Sequence, residues 1–300
     1  MAQVICLGEA MGELAFAPEG SVAVGVGGDT LNTAVYLARA GVPCGFASAL
    51  GRDPFGARIR ALCIQNGVDT ALLRDSKTHA TGLYAITTDA TGERSFQYWR
   101  DTSAARMCLQ DAPQDWTETI LSAPWLYLSG ITLWVLQADA DRLLALLDGV
   151  KARGGKVAFD GNYRPRLWGA ETEAARAIFA QAMARADLIL PTFEDEQMLW
   201  GDVTPEATLA RLHGLSRAQI VLKQGAEGCL ISDGTGAPRR IAIPEAVMPL
   251  DTTAAGDSFN AGFLAALLQG ASAEAAALAG HRLAARVICH RGAILPPGDS

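Results

Sequence analysis

The sequence predicts an α/β fold in which helices cover both faces of a mostly parallel sheet. Three observations predict it: short apolar runs recur along the chain, helical patterns separate most of them, and two strand-like segments interrupt the alternation. Short buried strands that alternate with helices are typical of parallel sheets. Because the crossover connections of such sheets are right-handed, ligands bind beyond the carboxyl ends of the strands.

The elements of the main sheet follow in chain order. Residues 4–7 read as a short buried strand, and residues 30–40 have helical spacing, with Gly41 placed to end the helix. Later apolar runs predict further strands, and helical patterns lie between them. The predicted strands are 46–50, 126–129, 157–160, 188–191 and 220–223, and the clearest helices are 138–153 and 171–184.

Two segments predict a separate small sheet. Residues 14–26 are strand-like and interrupted by glycines, whereas the runs 83–88 and 94–99 flank a turn-rich loop at 89–93 and indicate a β-hairpin. We interpret these segments, at about 12–26 and 82–100, as a lid inserted into a single domain of residues 1–300. The alternative is an extension of one edge of the main sheet. We expect the tail, residues 294–300, to be frayed.

Composition limits the classes of partner. A formal net charge of −7 disfavours nucleic acid and anionic membranes, because both are bound by basic surfaces. No apolar run predicts a membrane span. The six cysteines lack the spacing of a metal site or a redox motif. We therefore expect reduced cysteines in a cytoplasmic protein that has no nucleic-acid or membrane partner.

A run of small residues near the C-terminus carries the strongest chemical signal. Ala254, Ala255 and Gly256 precede Asp257, and an apolar helical pattern follows directly. The first N–H groups of a helix lack intrahelical partners, and the helix dipole favours anions there. A phosphate could therefore approach these amides closely, beside an Asp257 carboxylate placed to accept a proton from an attacking hydroxyl. The alternative is an ordinary helix with Asp257 in a capping role.

The start of the first long helix carries a second polar motif. Gly28 permits close approach of a ligand, and Asp29 and Asn32 supply hydrogen-bonding groups one turn apart. Such groups at the rim of a cleft are what a polyol needs. The alternative is an ordinary capped helix in which Asp29 is the cap and Asn32 is exposed.

Two basic segments predict recognition of an anion. Tyr98 and Arg100 share one face of the second hairpin strand, and Arg pairs bidentately with carboxylates. Arg164 and Arg166 flank a rigid Pro165 directly after a predicted strand, at the edge of the cleft. The alternatives are a solvated Arg100 packed over Tyr98 and an ordinary surface loop at 160–168.

Taken together, these motifs resemble a known family. Asp251-Thr252-Thr253-Ala254-Ala255-Gly256-Asp257 resembles the second signature of the ribokinase-like (PfkB) carbohydrate kinases, and Gly27-Gly28-Asp29-Thr30-Leu31-Asn32 resembles the first. Asn162-Tyr163-Arg164-Pro165-Arg166-Leu167-Trp168 and Tyr98-Trp99-Arg100 are similar to the 2-keto-3-deoxygluconate kinases within that family. The resemblance runs over essentially the whole chain. It implies a ribokinase-like three-layer sandwich with a small β-sheet lid.

The resemblance also implies a reaction and a sugar-acid site. The expected activity is ATP-dependent phosphorylation of 2-keto-3-deoxy-D-gluconate at its 6-hydroxyl. Asp257 would be the base, and the amides of Ala254, Ala255 and Gly256 would form the anion hole. The residues implied to bind the substrate are Gly28, Asp29, Asn32, Tyr84, Tyr98, Arg100, Arg164 and Asp257.

The remaining implications concern the nucleotide and cations. The residues implied to bind ATP are Asn162, Arg164, Lys223, Gly225, Gly228, Gly256 and His281, although a lone helical His is more often a packing residue. Glu196 matches the Glu of the family's Asn-x-x-Glu motif and would hold Mg²⁺ through water, but Phe193 stands where Asn is usual. Asp251 and Thr253 match positions that bind a monovalent cation, K⁺, in some relatives.

Three alternatives to this reading stay open. A fructokinase or ribokinase would share the fold and Asp257, but the arginines of the two basic segments would then lack an anionic partner. A catalytically silent sugar-acid sensor would not need Asp257 or its anion hole. A dinucleotide-dependent oxidoreductase would need a glycine fingerprint that the chain lacks. Exposed strands of the lid predict a homo-oligomer, a dimer or larger.

Overall fold

The computed structural model describes residues 2–17, 19–88, 94–110 and 112–296. The predicted hairpin loop at 89–93 and the end of the predicted frayed tail, residues 297–300, lie outside the described residues. The strands are β1 Val4–Leu7, β2 Met11–Phe16, β3 Val22–Gly27, β4 Cys44–Gly51, β5 Leu73–Ser76, β6 Gly82–Thr88, β7 Arg94–Trp99, β8 Trp125–Ser129, β9 Lys156–Asp160, β10 Leu188–Ile189, β11 Gln219–Lys223, β12 Cys229–Ser232 and β13 Arg239–Ile241.

Helices connect most of these strands. They are α1 Asp29–Arg39, α2 Pro54–Gln65, α3 Gln114–Leu121, α4 Gly130–Val135, α5 Ala140–Ala152, α6 Pro165–Trp168, α7 Thr172–Arg185, α8 Phe193–Trp200, α9 Pro205–Leu215, α10 Ala255–Leu268 and α11 Ala273–Ile288. Within the described ranges, none of them combines the length and the apolar character that crossing a bilayer requires. The predicted strands and helices of the main sheet are confirmed, with ends shifted by a few residues.

The large sheet has the strand order β13-β12-β11-β10-β9-β8-β1-β4-β5. Its pairings are parallel from β5 as far as β11, and β12 and β13 add antiparallel strands at the other edge. Central strands such as β1 and β4 are buried along their whole length, which is why they read as unbroken apolar runs. The predicted α/β fold with a mostly parallel sheet is confirmed.

Two cores lie on the two faces of this sheet. One holds side chains of α3, α5, α7 and α9, and the other holds side chains of α1, α2, α10 and α11. In the first core the ring of Phe179 meets Tyr163 and Trp168 edge to face, with centroids 5.8 and 6.1 Å away. Because burying an aromatic ring contributes on the order of 2 kcal/mol, these contacts hold segment 160–168 against α7.

The second sheet is separate from the first, so the edge-extension alternative is wrong. Its order is β3-β2-β6-β7, in which β2 and β6 are parallel and the outer pairs are antiparallel. We call this sheet the lid. It exposes several large apolar side chains, among them Val22, Val24 and Trp99. A small, partly exposed sheet of this kind contrasts with the fully buried strands of the main sheet.

Candidate active site

A cleft of about 1140 Å³ lies between the lid and the carboxyl ends of the main strands. The lid contributes side chains of β2, β6 and β7, and the main sheet contributes residues at the ends of β9 and β11. The start of α10 and the segment after β9 complete the wall. This volume exceeds that of a pocket for a single small ligand, which is typically about 300–1,000 Å³.

The start of α10 forms an open anion-binding end in the cleft. Ala254 precedes the helix with a φ of 61°, a left-handed conformation that costs an L-residue energy and re-aims the chain. Among the described residues, no side chain caps the helix. The N–H of Ala255 donates to the carbonyl of Thr252 at 3.2 Å, and the other amides of this first turn remain available to an anion. Ala254, Ala255 and Gly256 all line the cleft.

Asp257 lies in that first turn and is only 8% exposed. Its Oδ2 accepts a hydrogen bond of 2.8 Å from Asn32 Nδ2 on α1. Burial and the nearby negative charge of Asp29 together raise the pKa of Asp257 to about 8, although the bond from Asn32 opposes both effects. A carboxyl group whose pKa lies near the working pH is suited to accept a proton during a reaction.

Asp29 joins α1 to two strand ends of the main sheet. Its Oδ2 accepts hydrogen bonds from Asn162 Nδ2, at 2.9 Å, and from the hydroxyl of Ser129 at the end of β8. Asn162 follows β9 with a φ of 36°, and this conformation turns the chain toward the cleft. Burial raises the pKa of Asp29. Asp29 is thus the first helical residue rather than the cap, which is Gly28.

A buried lysine faces the anion-binding end. Lys223 ends β11, and its Nζ donates to Asp160 Oδ1 at 3.1 Å and to Asn260 Oδ1 at 3.0 Å. A Cβ added to Gly256 would lie 3.5 Å from the same Nζ, so the cation is close to the first turn of α10. A fixed positive charge there stabilises an anion bound to the amides.

The wall on the lid side is built from paired polar groups. The Tyr84 hydroxyl on β6 donates to Glu13 Oε2 on β2, and the ring of Tyr98 on β7 lies 5.9 Å from the ring of Tyr84. Burial and the charge of Glu13 raise the pKa of Tyr84. Tyr84 therefore keeps its proton and offers a hydroxyl to the cleft.

Arg100 follows the last lid strand and is only 5% exposed, so it is not the solvated arginine of the alternative. Its guanidinium forms an ion pair with Glu9 and lies over the rings of Trp134 and Tyr98, 5.0 and 5.8 Å from their centroids. The side chain still lines the cleft. A buried guanidinium that is held in one orientation is suited to bind a carboxylate.

The first turn of α8 carries two buried acids, of which one lines the cleft and the other lies in the interior. Asp195 lines the cleft and faces Arg164 at 3.4 Å, and burial raises its pKa to about 6. Glu196 lies behind it, 1% exposed, and its Oε2 pairs with Arg211 at 2.6 Å. Burial raises the pKa of Glu196 to about 7, although Arg211 opposes the shift.

Asp251 closes the loop that leads to α10. Its Oδ1 accepts from the backbone N–H and the hydroxyl of Thr253, and its Oδ2 accepts from the N–H of Gly292. These bonds fix the loop in which Ala254 takes its left-handed conformation. Both Asp251 and Thr253 line the cleft.

Comparison with known proteins decides the family. The model of the pfkB family carbohydrate kinases matches residues 1–298. The chain belongs to the pfkB family of carbohydrate kinases. The chain is also 44% identical to a 2-dehydro-3-deoxygluconokinase of Dickeya dadantii, over 91% of this chain and 90% of that protein.

Two further comparisons extend this relation. A fructokinase of Klebsiella pneumoniae is 32% identical over 87% of this chain and 83% of its own length, so it is more distant. The crystal structure of a PfkB protein from Polaromonas sp. JS666 superposes with a TM-score of 0.82 at 30% identity and covers 95% of each chain. The predicted ribokinase-like fold and the predicted family are confirmed.

Most residues predicted from the PfkB motifs come together in the cleft. Those that line it are Gly28, Asp29, Asn32, Tyr84, Tyr98, Arg100, Asn162, Arg164, Lys223, Asp251, Thr253, Ala254, Ala255, Gly256 and Asp257. Asn32 is 4% exposed, so the alternative of an ordinary helix with an exposed Asn32 is wrong. The roles of these residues stay predictions.

Four predicted residues do not line the cleft. Glu196 lies behind the wall, and Gly225 and Gly228 form the tight turn between β11 and β12 with φ values of 53° and 90°. His281 on α11 is buried against Phe259, with ring centroids 4.9 Å apart, and burial lowers its pKa. His281 thus packs against α10, and its predicted contact with ATP stays a prediction.

Several cleft residues were missing from the predicted site. Glu13, Asp160, Asp195 and Arg291 line the cleft, and Glu9 holds Arg100 from behind. Position alone could have found Asp160, because it ends a predicted strand at the edge where ligands bind. Glu9 follows β1 in the same way. No local pattern marks Glu13 or Arg291.

Proposed function

We propose that this PfkB kinase transfers a phosphoryl group from ATP to the 6-hydroxyl of 2-keto-3-deoxy-D-gluconate, giving 2-keto-3-deoxy-6-phosphogluconate. The observation that carries the proposal is one cleft that holds both a buried acid at a helix N-terminus, Asp257, and a buried guanidinium on the lid side, Arg100. The relative from Dickeya dadantii, named for this substrate, supports the same assignment.

The transfer step follows from the geometry around Asp257. The 6-hydroxyl loses its proton to the Asp257 carboxylate while its oxygen forms a bond to the γ-phosphorus, and the bond from that phosphorus to the β,γ-bridging oxygen breaks. The amides of Ala254, Ala255 and Gly256 donate to the phosphoryl oxygens, for which Ala255 exchanges its 3.2 Å bond to the carbonyl of Thr252, and Lys223 adds a positive charge. Asn32 holds the carboxylate in place through its bond to Oδ2.

The keto acid is held between the main sheet and the lid. Gly28, Asp29 and Asn32 face its hydroxyl groups from α1. Tyr84, Tyr98, Arg100 and Arg164 surround its carboxylate end. Such a placement gives the carboxylate of the substrate a partner of opposite charge, which a neutral sugar would leave unused. Closing the lid over the substrate would exclude water and so limit hydrolysis of ATP.

ATP and Mg²⁺ fit the other side of the cleft. Of the residues proposed to contact the nucleotide, Asn162, Arg164, Lys223 and Gly256 line the cleft, whereas Gly225, Gly228 and His281 lie outside its lining. Mg²⁺ prefers oxygen ligands and keeps several waters, and Asp160 and Asp195 offer carboxylates there. Within the described ranges, no group of three or more acidic, His or Cys side chains is placed to hold a metal, so we propose binding largely through phosphates and water. Bound Mg²⁺ neutralises charge on the phosphates.

Glu196 keeps a water-mediated role in this proposal. Its Oε2 pairs with Arg211, but its Oε1 has no hydrogen-bond partner among the described residues. A Cβ added to Gly161, next to Asn162, would lie 3.1 Å from that Oε1. The free oxygen is therefore directed toward the cleft edge. We also propose a K⁺ site at the loop of Asp251 and Thr253.

Assembly and location belong to the same proposal. The exposed apolar side chains of the lid support a homo-oligomer, a dimer or larger. All six cysteines are free thiols and five of them are buried, which supports a reducing compartment, the cytoplasm.

A coupled assay of ADP release tests the function. Purified protein with MgATP receives 2-keto-3-deoxygluconate, its galacto epimer, fructose, ribose or gluconate. We expect clear preference for a keto-deoxy acid, and the two epimers decide the stereochemistry. Preference for fructose would support the runner-up, a fructokinase like the Klebsiella pneumoniae relative. Absence of turnover with every sugar would favour a sensor.

A further inference from the structure

Glu9 lies where the lid joins the main domain. The chain crosses between the two sheets four times: from β1 to β2, from β3 to α1, from β5 to β6, and after β7. Glu9 lies in the first crossing. A Cβ atom added to Gly28, in the second crossing, would lie 2.3 Å from the carbonyl oxygen of Glu9. A Cβ atom added to Gly82, the residue at which the third crossing reaches β6, would lie 2.8 Å from Glu9 Oε1.

The fourth crossing is tied to the same carboxylate. Arg100 forms an ion pair with Glu9 Oε2, and the hydroxyl of Ser103 donates to Glu9 Oε1. Glu9 is 2% exposed and Arg100 is 5% exposed, so both charges are removed from water. Burying a charge is costly unless a partner compensates it, and therefore each of these charges depends on the other.

The pair leaves part of the guanidinium for the cleft. Arg100 lines the cleft, and Glu9 pairs with its Nη2, while Nε is buried without an acceptor among the residues that the structure describes. The Nη1 edge is the one that is not buried in this way. A guanidinium has five N–H donors in one rigid plane, so a carboxylate that holds one edge fixes the direction of the others. The ring of Trp134, 5.0 Å from the guanidinium carbon, restricts the plane from one side.

We propose that Glu9 is a positioning residue for Arg100, and through Arg100 for the carboxylate of the keto acid. This inference rests on the function proposed above, because it requires an anionic substrate at Arg100. Glu9 orients the free N–H groups toward the cleft and fixes the four crossings in the arrangement that presents them. Its own negative charge weakens the attraction of Arg100 for an anion, so its benefit lies in orientation.

The two possible roles of Glu9 predict opposite changes in the KM for the keto acid. If Glu9 merely neutralises Arg100, Glu9→Gln strengthens binding of the keto acid and lowers its KM. If Glu9 positions Arg100, the same change lets the guanidinium turn and raises that KM. We expect a rise of about tenfold, which corresponds to about 1.4 kcal/mol of lost interaction with the keto-acid carboxylate. The KM for ATP and kcat should stay within about threefold of wild type, since Glu9 touches neither.

Matched variants separate positioning from general damage. Arg106→Met is the control, because Arg106 also lies over Trp134, at 4.5 Å, yet does not line the cleft. It should leave the KM for the keto acid unchanged. Should Glu9→Gln fail to fold, Glu9→Asp keeps the charge but shortens the side chain by one methylene. The same selective rise in KM is then expected.

A double-mutant cycle decides the inference. In an Arg100→Met background, Glu9→Gln should produce no further change in the KM for the keto acid, because its effect passes through Arg100. An equal rise in both backgrounds, or an unchanged or lowered KM in Glu9→Gln alone, would overturn the positioning role. Wild-type protein that fails to phosphorylate the keto acid would instead refute the proposed function itself.

Discussion

The two sides of the cleft are built differently. On the main-domain side, Asp257 and Lys223 are fixed by buried partners on α1, β9 and α10, and both side chains are nearly inaccessible. On the lid side, Tyr98 is 39% exposed and Trp99 is 56% exposed on a sheet of only four strands. Transfer of a charged group needs preorganised charges, whereas admitting a substrate needs a wall that can move.

We interpret this difference as a division of roles between phosphoryl transfer on the main-domain side and choice of substrate on the lid side. In the proposed mechanism the anion-binding end of α10 would serve any sugar hydroxyl, because its amides act on the phosphoryl group. The arginine at the base of the lid, Arg100, is the residue that we propose distinguishes an acid from a neutral sugar. Variants on the two sides should therefore fail in different ways.

Loss of the proposed base should have the largest effect. Asp257→Asn keeps the shape and the contact with Asn32 but removes the proton acceptor, so kcat should fall about 10²- to 10⁴-fold. Binding of ATP, measured by calorimetry, should stay close to wild type. Asp148→Asn, on the surface of α5, serves as the control. A variant with near-wild-type kcat would remove Asp257 from the mechanism.

Loss of the lid-side arginine should be smaller and selective. Arg100→Met removes the partner of the keto-acid carboxylate, so the KM for that substrate should rise about 10- to 100-fold. The KM for ATP should change little. If the KM values of both substrates rise equally, Arg100 supports the fold rather than the substrate, and the comparison between the two sides breaks.

The magnesium requirement should reveal the role of Glu196. Glu196→Gln removes the charge behind the cleft wall, so the Mg²⁺ concentration for half-maximal rate should rise by about three- to tenfold. Glu194→Gln, on the exposed face of the same helical turn, is the matched control. An unchanged magnesium requirement in Glu196→Gln would leave Glu196 only its structural pairing with Arg211.

The pH profile should show the environment of Asp257. Its carboxyl group must be ionised to accept a proton, and its pKa in the free protein is raised to about 8 by burial and by Asp29. The value of kcat/KM should therefore fall as the pH decreases below about 8. Asp29→Asn removes the neighbouring charge, so the fall should begin at lower pH. A profile that Asp29→Asn does not move would contradict the coupling between these acids.

Local patterns predicted the strands, helices and small-residue run of the main-domain side, and the family resemblance supplied the expected roles of its residues. The run 254–257 gives both the small residues and the helix start, and residues 160–168 follow a strand whose direction fixes where they lie. Even so, the bond from Asn32 to Asp257 joins residues 225 positions apart. Their shared site was expected from the family motifs, whereas the direct contact follows from the packing of α1 against α10.

Side-chain pairing at the lid could not be predicted. The sequence indicates the strands and the basic residues, but the partner of Arg100 is an acid after β1, and the partner of Tyr84 lies 71 positions earlier. Which acid neutralises which base depends on how the four crossings converge. For the same reason the spacing of 194–196 did not reveal that Arg211 would bind Glu196 inside the fold.

The ratio of kcat/KM for 2-keto-3-deoxygluconate to that for fructose tests the division between the two sides most directly. The account predicts that Arg100→Met lowers this ratio by about tenfold or more, while a matched Asp257→Asn lowers both values and leaves the ratio nearly unchanged. If Asp257→Asn changes this ratio as much as Arg100→Met does, the separation of chemistry from substrate choice is contradicted.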